Sequence, residues 1–407
     1  MKKVLMIALE FAPCRSAGVQ RTLRFSEYLK VHGWQPFIVT ATENIYDRLD
    51  NTLQVTPEVA KHVVQAKCED ASKKFALKGR YFQWMTLPDR YWPWYFDAVK
   101  QASKIVEQEK PDAIWSTYPV LTAHLIAFKL KKKYHIPWVA DFRDPLQCRY
   151  DKSAQRYAWF KKWIEKKVVK HASKVVFTSG RAADLYRELY PQESPDKFVT
   201  IENGFYLPEK SLEKGDDHVV IPICKSKKFQ LLYSGSLYAN GRSPEPLFKA
   251  LSQLKKQNII AADNFILTFR PGKSTAFSAL LSALDINDLV QFLPAISFEG
   301  SVREMQKASA TVLIQDEIFH RQIPGKLYDY ICVKKPILAL TPTNSATADV
   351  IKRIAFGVTA NSEKEIIEAL LYLIQTDIDC SEDICQYSRE SKTAELAQLF
   401  KGLSSNQ

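Results

Sequence analysis

Long hydrophobic runs are missing from this chain. The longest apolar stretches, such as Val4–Leu9, fall far short of the roughly 20 residues that a membrane span needs. Zinc-ligand spacing is missing too. The seven cysteines stand at positions 14, 68, 148, 224, 332, 380 and 385, and only Cys380 and Cys385 are close in sequence. They read as reduced thiols used for packing. The seven histidines form no metal motif, and no nucleic-acid-binding motif or short internal repeat occurs. A membrane-spanning protein, a zinc- or disulfide-stapled fold and a dedicated nucleic-acid reader are thereby disfavoured.

The 407 residues are enough for two domains of ordinary size, and 46% hydrophobic with 12% aromatic residues is enough for real cores. A net charge of +12 favours an anionic partner. Without a nucleic-acid motif, a nucleotide or an anionic membrane surface remains. The opening Met1–Glu10 has a short apolar core that Glu10 interrupts, so it reads as a first strand and not as a signal peptide. The expected location is the cytoplasm, with the inner face of the cell membrane as a docking place.

Along the first half, strands and helices alternate. Strands are expected at 3–9, 35–40, 112–117, 136–141, 174–179 and 197–202, with helices at 18–31, 97–108, 122–133 and 154–171. Residues 205–228 lose the pattern and carry Pro208, Gly215 and Pro222, as an interdomain linker does. Alternation then restarts, with strands at 230–234, 265–270, 290–293, 311–315, 336–340 and 357–360 and helices between or after them. The tail at 382–403 is helical in pattern. The expected fold class is α/β: two doubly wound, Rossmann-like domains facing a cleft, with ligands at the carboxyl ends of the strands. The expected boundaries are 1–205, a linker at 206–228, 229–380, and a C-terminal helix at 381–407 that packs back on the first domain.

The most informative stretch is Ile323–Leu340: a Pro324–Gly325 break, a short helix, then the apolar run after Pro336. Lys326 and Asp329 stand three residues apart, near one another on one helix face. At a helix N-terminus, Lys326 suits phosphate and Asp329 suits ribose hydroxyls, although a surface ion pair has the same spacing. Other strand ends carry candidates of the same kind. Gly18, Arg15 and Arg21 follow the first strand, in a loop that is not a dinucleotide fingerprint. Gly235, Ser236 and Arg242 follow the strand at 230–234, and Arg270 and Lys273 end the next one. Asp141 ends a first-domain strand, where it can act as a base, orient a sugar hydroxyl or simply pair with Arg143. His124, near a helix start, can reach the cleft or satisfy a carbonyl.

With these pieces in place, the chain resembles the family-4 glycosyltransferases of the GT-B fold. The resemblance rests on the Pro13–Gly18–Arg21 loop, Pro137–Pro145, Phe177–Ser179, Glu202–Gly204, Tyr233–Ser236 with Arg242, and Lys326–Tyr330 followed by Pro336. It implies transfer of a sugar from a nucleotide-diphosphate donor to a glycan or lipid-linked acceptor, usually with retention and without a metal. No cofactor beyond that substrate is implied. By position, Gly18 approaches the donor, Arg242 lies where the family has a lysine on the diphosphate, and Asp329 falls on the glutamate that holds the ribose. Arg321 falls on the first of the family's two glutamates, which normally contacts the donor sugar, and Ser236 lies where many members have an arginine. Arg270 and Lys273 are then the nearest substitutes for that arginine's charge. Asp141 and His124 are the candidates for the chemistry, and no Asp-x-Asp motif falls among the residues placed at the cleft. A sugar-nucleotide epimerase and a non-catalytic nucleotide-sugar-binding subunit are the alternatives.

A second feature stands apart from these. On a helix, Tyr157, Phe160, Ile164 and Val168 make one apolar stripe, which Trp159 and Trp163 widen. Lys161, Lys162, Lys166, Lys167 and Lys170 crowd the remaining surface. The stripe either buries against a sheet or docks on an anionic membrane, with Tyr91–Phe96 and Lys131–Lys133 on the same face.

Overall fold

The structure is a computed structural model; it describes the chain except at residue 17 and residues 147–156, 207–227, 236, 238–241, 273–275 and 405–407. Almost all of the expected linker therefore lies outside the described residues. The chain divides into two compact units, Met1–Asn203 with Arg389–Gln407, and Gly204–Ser388.

The first unit runs β1 (Lys2–Ile7), α1 (Val19–Tyr28), β2 (Trp34–Ala41), α2 (Pro57–Ala60), β3 (Val63–Ala66), α3 (Ala71–Lys74), α4 (Trp94–Glu109), β4 (Ala113–Thr117), α5 (Leu121–Tyr134), β5 (Trp138–Arg143), α6 (Ala158–His171), β6 (Lys174–Phe177), α7 (Gly180–Leu189) and β7 (Phe198–Thr200). The second continues with β8 (Phe229–Ser234), α8 (Glu245–Lys256), β9 (Phe265–Arg270), α9 (Ser278–Ala283), β10 (Val290–Phe292), α10 (Phe298–Lys307), β11 (Ala310–Ile314), α11 (Gly325–Cys332), β12 (Ile337–Leu340), α12 (Ala346–Ile351), β13 (Gly357–Ala360) and α13 (Glu363–Gln375). The last helix, α14 (Arg389–Ser404), returns to the first unit.

Each unit has one sheet. The orders are β3-β2-β1-β4-β5-β6-β7 and β10-β9-β8-β11-β12-β13, with parallel pairing throughout. A parallel sheet is covered on both faces, so its strands must be apolar on both, and Val4 to Ile7 of β1 are all fully buried. The two faces of the first sheet feed separate cores, Leu5 and Ile7 on one side and Val4 and Met6 on the other. Leu396, Ala397 and Phe400 of α14 complete the second of these, with the Phe400 ring 5.1 Å from that of Trp34. Capping fixes several helix starts. In α13 a Ser362–Glu365 capping box satisfies two backbone donors reciprocally.

In both units the strand order reverses beside the first strand, at β1/β4 and at β8/β11. Open α/β sheets bind ligands at such switch points, beyond the carboxyl ends of the strands. No helix among the described residues is long and apolar enough to cross a membrane.

Candidate functional site

The switch point of the second unit gathers most of the expected donor residues. Strand β8 ends at Ser234, whose N–H donates to Tyr330 Oη at 2.8 Å; that hydroxyl in turn donates towards the carbonyls of Ser234 and Val312. Helix α11 is thus pinned across the ends of β8 and β11. Gly235 follows with φ +130°, a conformation that side chains rarely adopt. A Cβ there would lie 2.6 Å from Lys326 Nζ, so the missing side chain is what admits the lysine. Lys326 Nζ sits 3.8 Å from the Tyr233 ring centroid and is buried without a hydrogen-bond acceptor among the described residues. Burial first, and then the nearby Arg242 charge, push its pKa down to about 7, against the opposing pull of Asp329. Two cations held together in a half-buried pocket repel one another, and an anion between them relieves that repulsion.

Lys326, Asp329, Gly235 and Arg242 are therefore brought together as expected. Ser236 and Lys273 lie outside the described residues. Arg270 is a correction. Its Nε donates to Glu304 of α10 at 2.8 Å and its Nη1 to the Pro294 carbonyl at 2.7 Å, so its charge is already neutralised. Glu304 is 34 residues away in sequence, beyond any local pattern. Tyr233 was not anticipated as a platform, since Tyr233–Ser236 reads as a strand end followed by a loop.

The first unit overturns three expectations. Asp141 is fully buried and does not pair with Arg143. It pairs with Arg21 of α1, which grips both carboxylate oxygens at 2.9 and 3.0 Å. Thr117 Oγ1 adds a hydrogen bond at 3.0 Å. The remaining Arg21 donors go to the carbonyls of Ile201 and Glu202, each at 3.0 Å, and its guanidinium lies 4.7 Å from the Phe25 ring. Neither group is open to a ligand. Together they tie α1 and β5 to the last residues of the first unit before the chain enters the second. His124 is buried as well. Its Nδ1 lies 2.8 Å from Ser116 Oγ, which also accepts from Trp138 Nε1 at 2.8 Å. Burial drives its pKa down to about 4, so the ring is neutral and belongs to the core.

What does line the β1/β4 switch point is a small depression bounded by Leu9, Glu10, Gly18, Thr22 and the turn Thr117–Val120. Glu10 accepts from Ser16 Oγ at 2.6 Å. A Cβ on Gly18 would lie 2.4 Å from Glu10 Oε2 and 2.8 Å from Arg143 Nη1, so this glycine makes room for a carboxylate and a guanidinium. Arg143, at φ +62°, reaches the Tyr118 carbonyl at 3.3 Å. One Asp-x-Asp sequence does occur, at Asp377-Ile378-Asp379. It follows α13 on the surface, where Asp379 accepts from the Ser381 N–H at 2.8 Å.

Residues 17–204 match the family model of the glycosyl transferase 4-like domain. The first unit belongs to that family. The expected likeness to family-4 glycosyltransferases of the GT-B fold therefore holds, and glycosyl transfer is the activity class that goes with this domain. Solved structures agree on the fold over the whole chain. A glycosyltransferase from Rickettsia africae is 16% identical with a TM-score of 0.63, covering 100% of this chain and 99% of its own. The sucrose-phosphate synthase of Thermosynechococcus elongatus is 14% identical with a TM-score of 0.62 and full coverage of both chains. HepE of Anabaena, in complex with UDP, is 12% identical with a TM-score of 0.59 and again full coverage of both. No curated protein sequence matches the chain.

Proposed function

We propose that this glycosyl transferase 4-like protein moves a sugar from a nucleoside-diphosphate donor to a glycan or lipid-linked acceptor, with retention and without a metal ion, in the assembly of a cell-surface polysaccharide. The observation that carries the reading is Lys326: a buried ammonium with no hydrogen-bond acceptor among the described residues, set beside Gly235 and Arg242 at the switch point of the second unit. A diphosphate supplies acceptors for such a site, and Arg242 adds a second charge-assisted contact. Asp329, one helical turn along α11, is placed to accept from the ribose hydroxyls. Charge neutralisation by Lys326 and Arg242 does the work that a metal ion does elsewhere. Anabaena HepE, which shares this fold, is in complex with UDP, and that supports a nucleotide ligand here. The acceptor falls to the first unit, at the depression of Glu10, Gly18 and Tyr118.

Thermal shift with a panel of nucleoside diphosphates and their sugars tests the donor site. A ligand at 100 times its Kd stabilises by about 2.7 kcal/mol, and Lys326→Met should abolish the gain. No stabilisation by any member of the panel would sink the reading. A non-catalytic nucleotide-sugar-binding subunit is the second reading, favoured by Arg321 standing where the family has a glutamate. It predicts the same stabilisation with neither donor hydrolysis nor transfer by the purified protein.

A further inference from the structure

The first unit carries an apolar surface that none of its described elements covers. Phe82 (68% exposed) and Trp84 (57%) sit in the segment between α3 and α4, and Phe96 (66%) lies at the start of α4. Leu77, Phe75 and Tyr81 are exposed alongside them. These are not scattered side chains. Phe75 stacks on Trp92 at 6.1 Å, Trp92 meets Phe96 edge-on at 6.1 Å, and Phe82 stacks on Trp84 at 6.4 Å. Trp92 Nε1 donates to the Met85 carbonyl at 2.8 Å, which fixes the segment over the ring.

Helix α6 contributes a second group. Ile164, Val168 and Val169 are buried, so the apolar stripe does pack inwards. Trp159 (68% exposed) and Trp163 (50%) stay outside it, bridged by Phe160 at 5.6 and 5.9 Å. The segment that carries the first group comes near α6 at the start of α5. Asp89, just before Trp92, accepts from the Thr122 N–H at the start of α5, and it feels the charge of Lys161 on α6.

Within the segment before Asp89 and on the outer face of α6, the charge is basic. Residues 71–88 contain Lys73, Lys74, Lys78 and Arg80 and no acid. Lys73 and Lys74 meet acids from neighbouring segments, Asp47 and Glu69, so Lys78 and Arg80 carry the outward charge there. On α6 the lysines are 161, 162, 166, 167 and 170, and the single acid, Glu165, is fully buried. Lys167 lies 4.1 Å from the Trp163 ring centroid, and Lys162, Lys166 and Lys170 are exposed. Tryptophans beside lysines form the pattern of interfacial insertion: rings enter the headgroup boundary while ammonium groups stay at the phosphates. An exposed apolar patch of this kind marks an interaction surface, and its charge selects an anionic one.

We infer that the face formed by residues 75–96 and helix α6 docks on a bilayer containing anionic lipid. Tryptophan and phenylalanine rings insert, and the lysines bind the lipid phosphates. The inference does not depend on the donor site of the second unit.

Vesicle flotation of the full-length protein tests it, with zwitterionic vesicles and with vesicles that also contain anionic phosphatidylglycerol. Binding should require the anionic lipid and fall steeply in high salt. Each basic residue near the surface strengthens binding about fivefold, so Lys162→Glu, Lys166→Glu and Lys170→Glu together should weaken it by roughly a hundredfold or more. Trp159→Ser with Trp163→Ser, and separately Phe82→Ser with Trp84→Ser, should weaken it with the thermal melt unchanged, because these side chains are exposed. Tryptophan fluorescence of the wild type should shift to the blue on anionic vesicles. Absence of binding, equal binding to both vesicle types, or full binding by the triple lysine variant would each overturn the inference.

Discussion

Two buried charge sites define the residue scale, and they do opposite things. In the Arg21–Asp141 pair all three guanidinium nitrogens donate and both carboxylate oxygens accept, so its role is structural. Asp141→Ala leaves a buried guanidinium unpaired and should destabilise the chain by about 3–5 kcal/mol in urea unfolding. Donor KM, measured well below the melting point, should be unchanged. A fall in kcat at full stability would return Asp141 to the chemistry. Lys326 is the contrasting case, since its ammonium has no acceptor among the described residues. With a pKa near 7 it is largely neutral at pH 8.5, and a bound diphosphate favours its protonated form. Binding is then coupled to proton uptake, so affinity for a nucleoside-diphosphate sugar should fall as pH rises above about 7, by up to tenfold per unit, and level off below it. Titration calorimetry in buffers of different ionisation heat measures that uptake. Lys326→Arg, which stays protonated, should flatten the profile; a sloping profile in that variant would separate the pH effect from Lys326. The lysine was legible in the sequence because Pro-Gly before a short helix marks a helix start. The fate of Asp141 was not, because its partner lies 120 residues away and a carboxylate at a strand end looks the same whether it is free or clamped.

At the element scale, local pattern carried far. Strands β9 and β13 begin and end where alternation places them. The edge strand β3, only four residues long and half-exposed, has too little apolar pattern to announce itself, and α7 hides behind the strand before it. Helix α14 was legible as a helix, while its contact with Trp34 depends on tertiary structure that periodicity does not encode. Phe400 is fully buried in that contact. Phe400→Ala should therefore cost about 3–5 kcal/mol, read as a lowered melting temperature with donor affinity unchanged in the folded protein. A loss under 1 kcal/mol would mean that α14 is an ornament on the first unit and no part of its core.

On the scale of the whole molecule, the two sheets share one strand order, and each places its candidate residues where that order reverses. Two-domain organisation was readable from the lost alternation after residue 205, and the return of the C-terminal helix to the first unit was expected; the core residues that this route closes over were not readable. That route has a consequence for synthesis. The first unit is discontinuous: residues 389–404 finish a core that begins at β1, and all of the second unit lies between. A growing chain delivers its segments in sequence order, so the second unit can complete itself while the first still waits for its closing helix. Until then, the apolar surface around Val4, Met6 and Trp34 stays open to solvent or to a chaperone. Independence of the two halves is thus unequal. Residues 1–203 made alone would be an unfinished object prone to association, whereas residues 204–388 contain every strand of their own sheet.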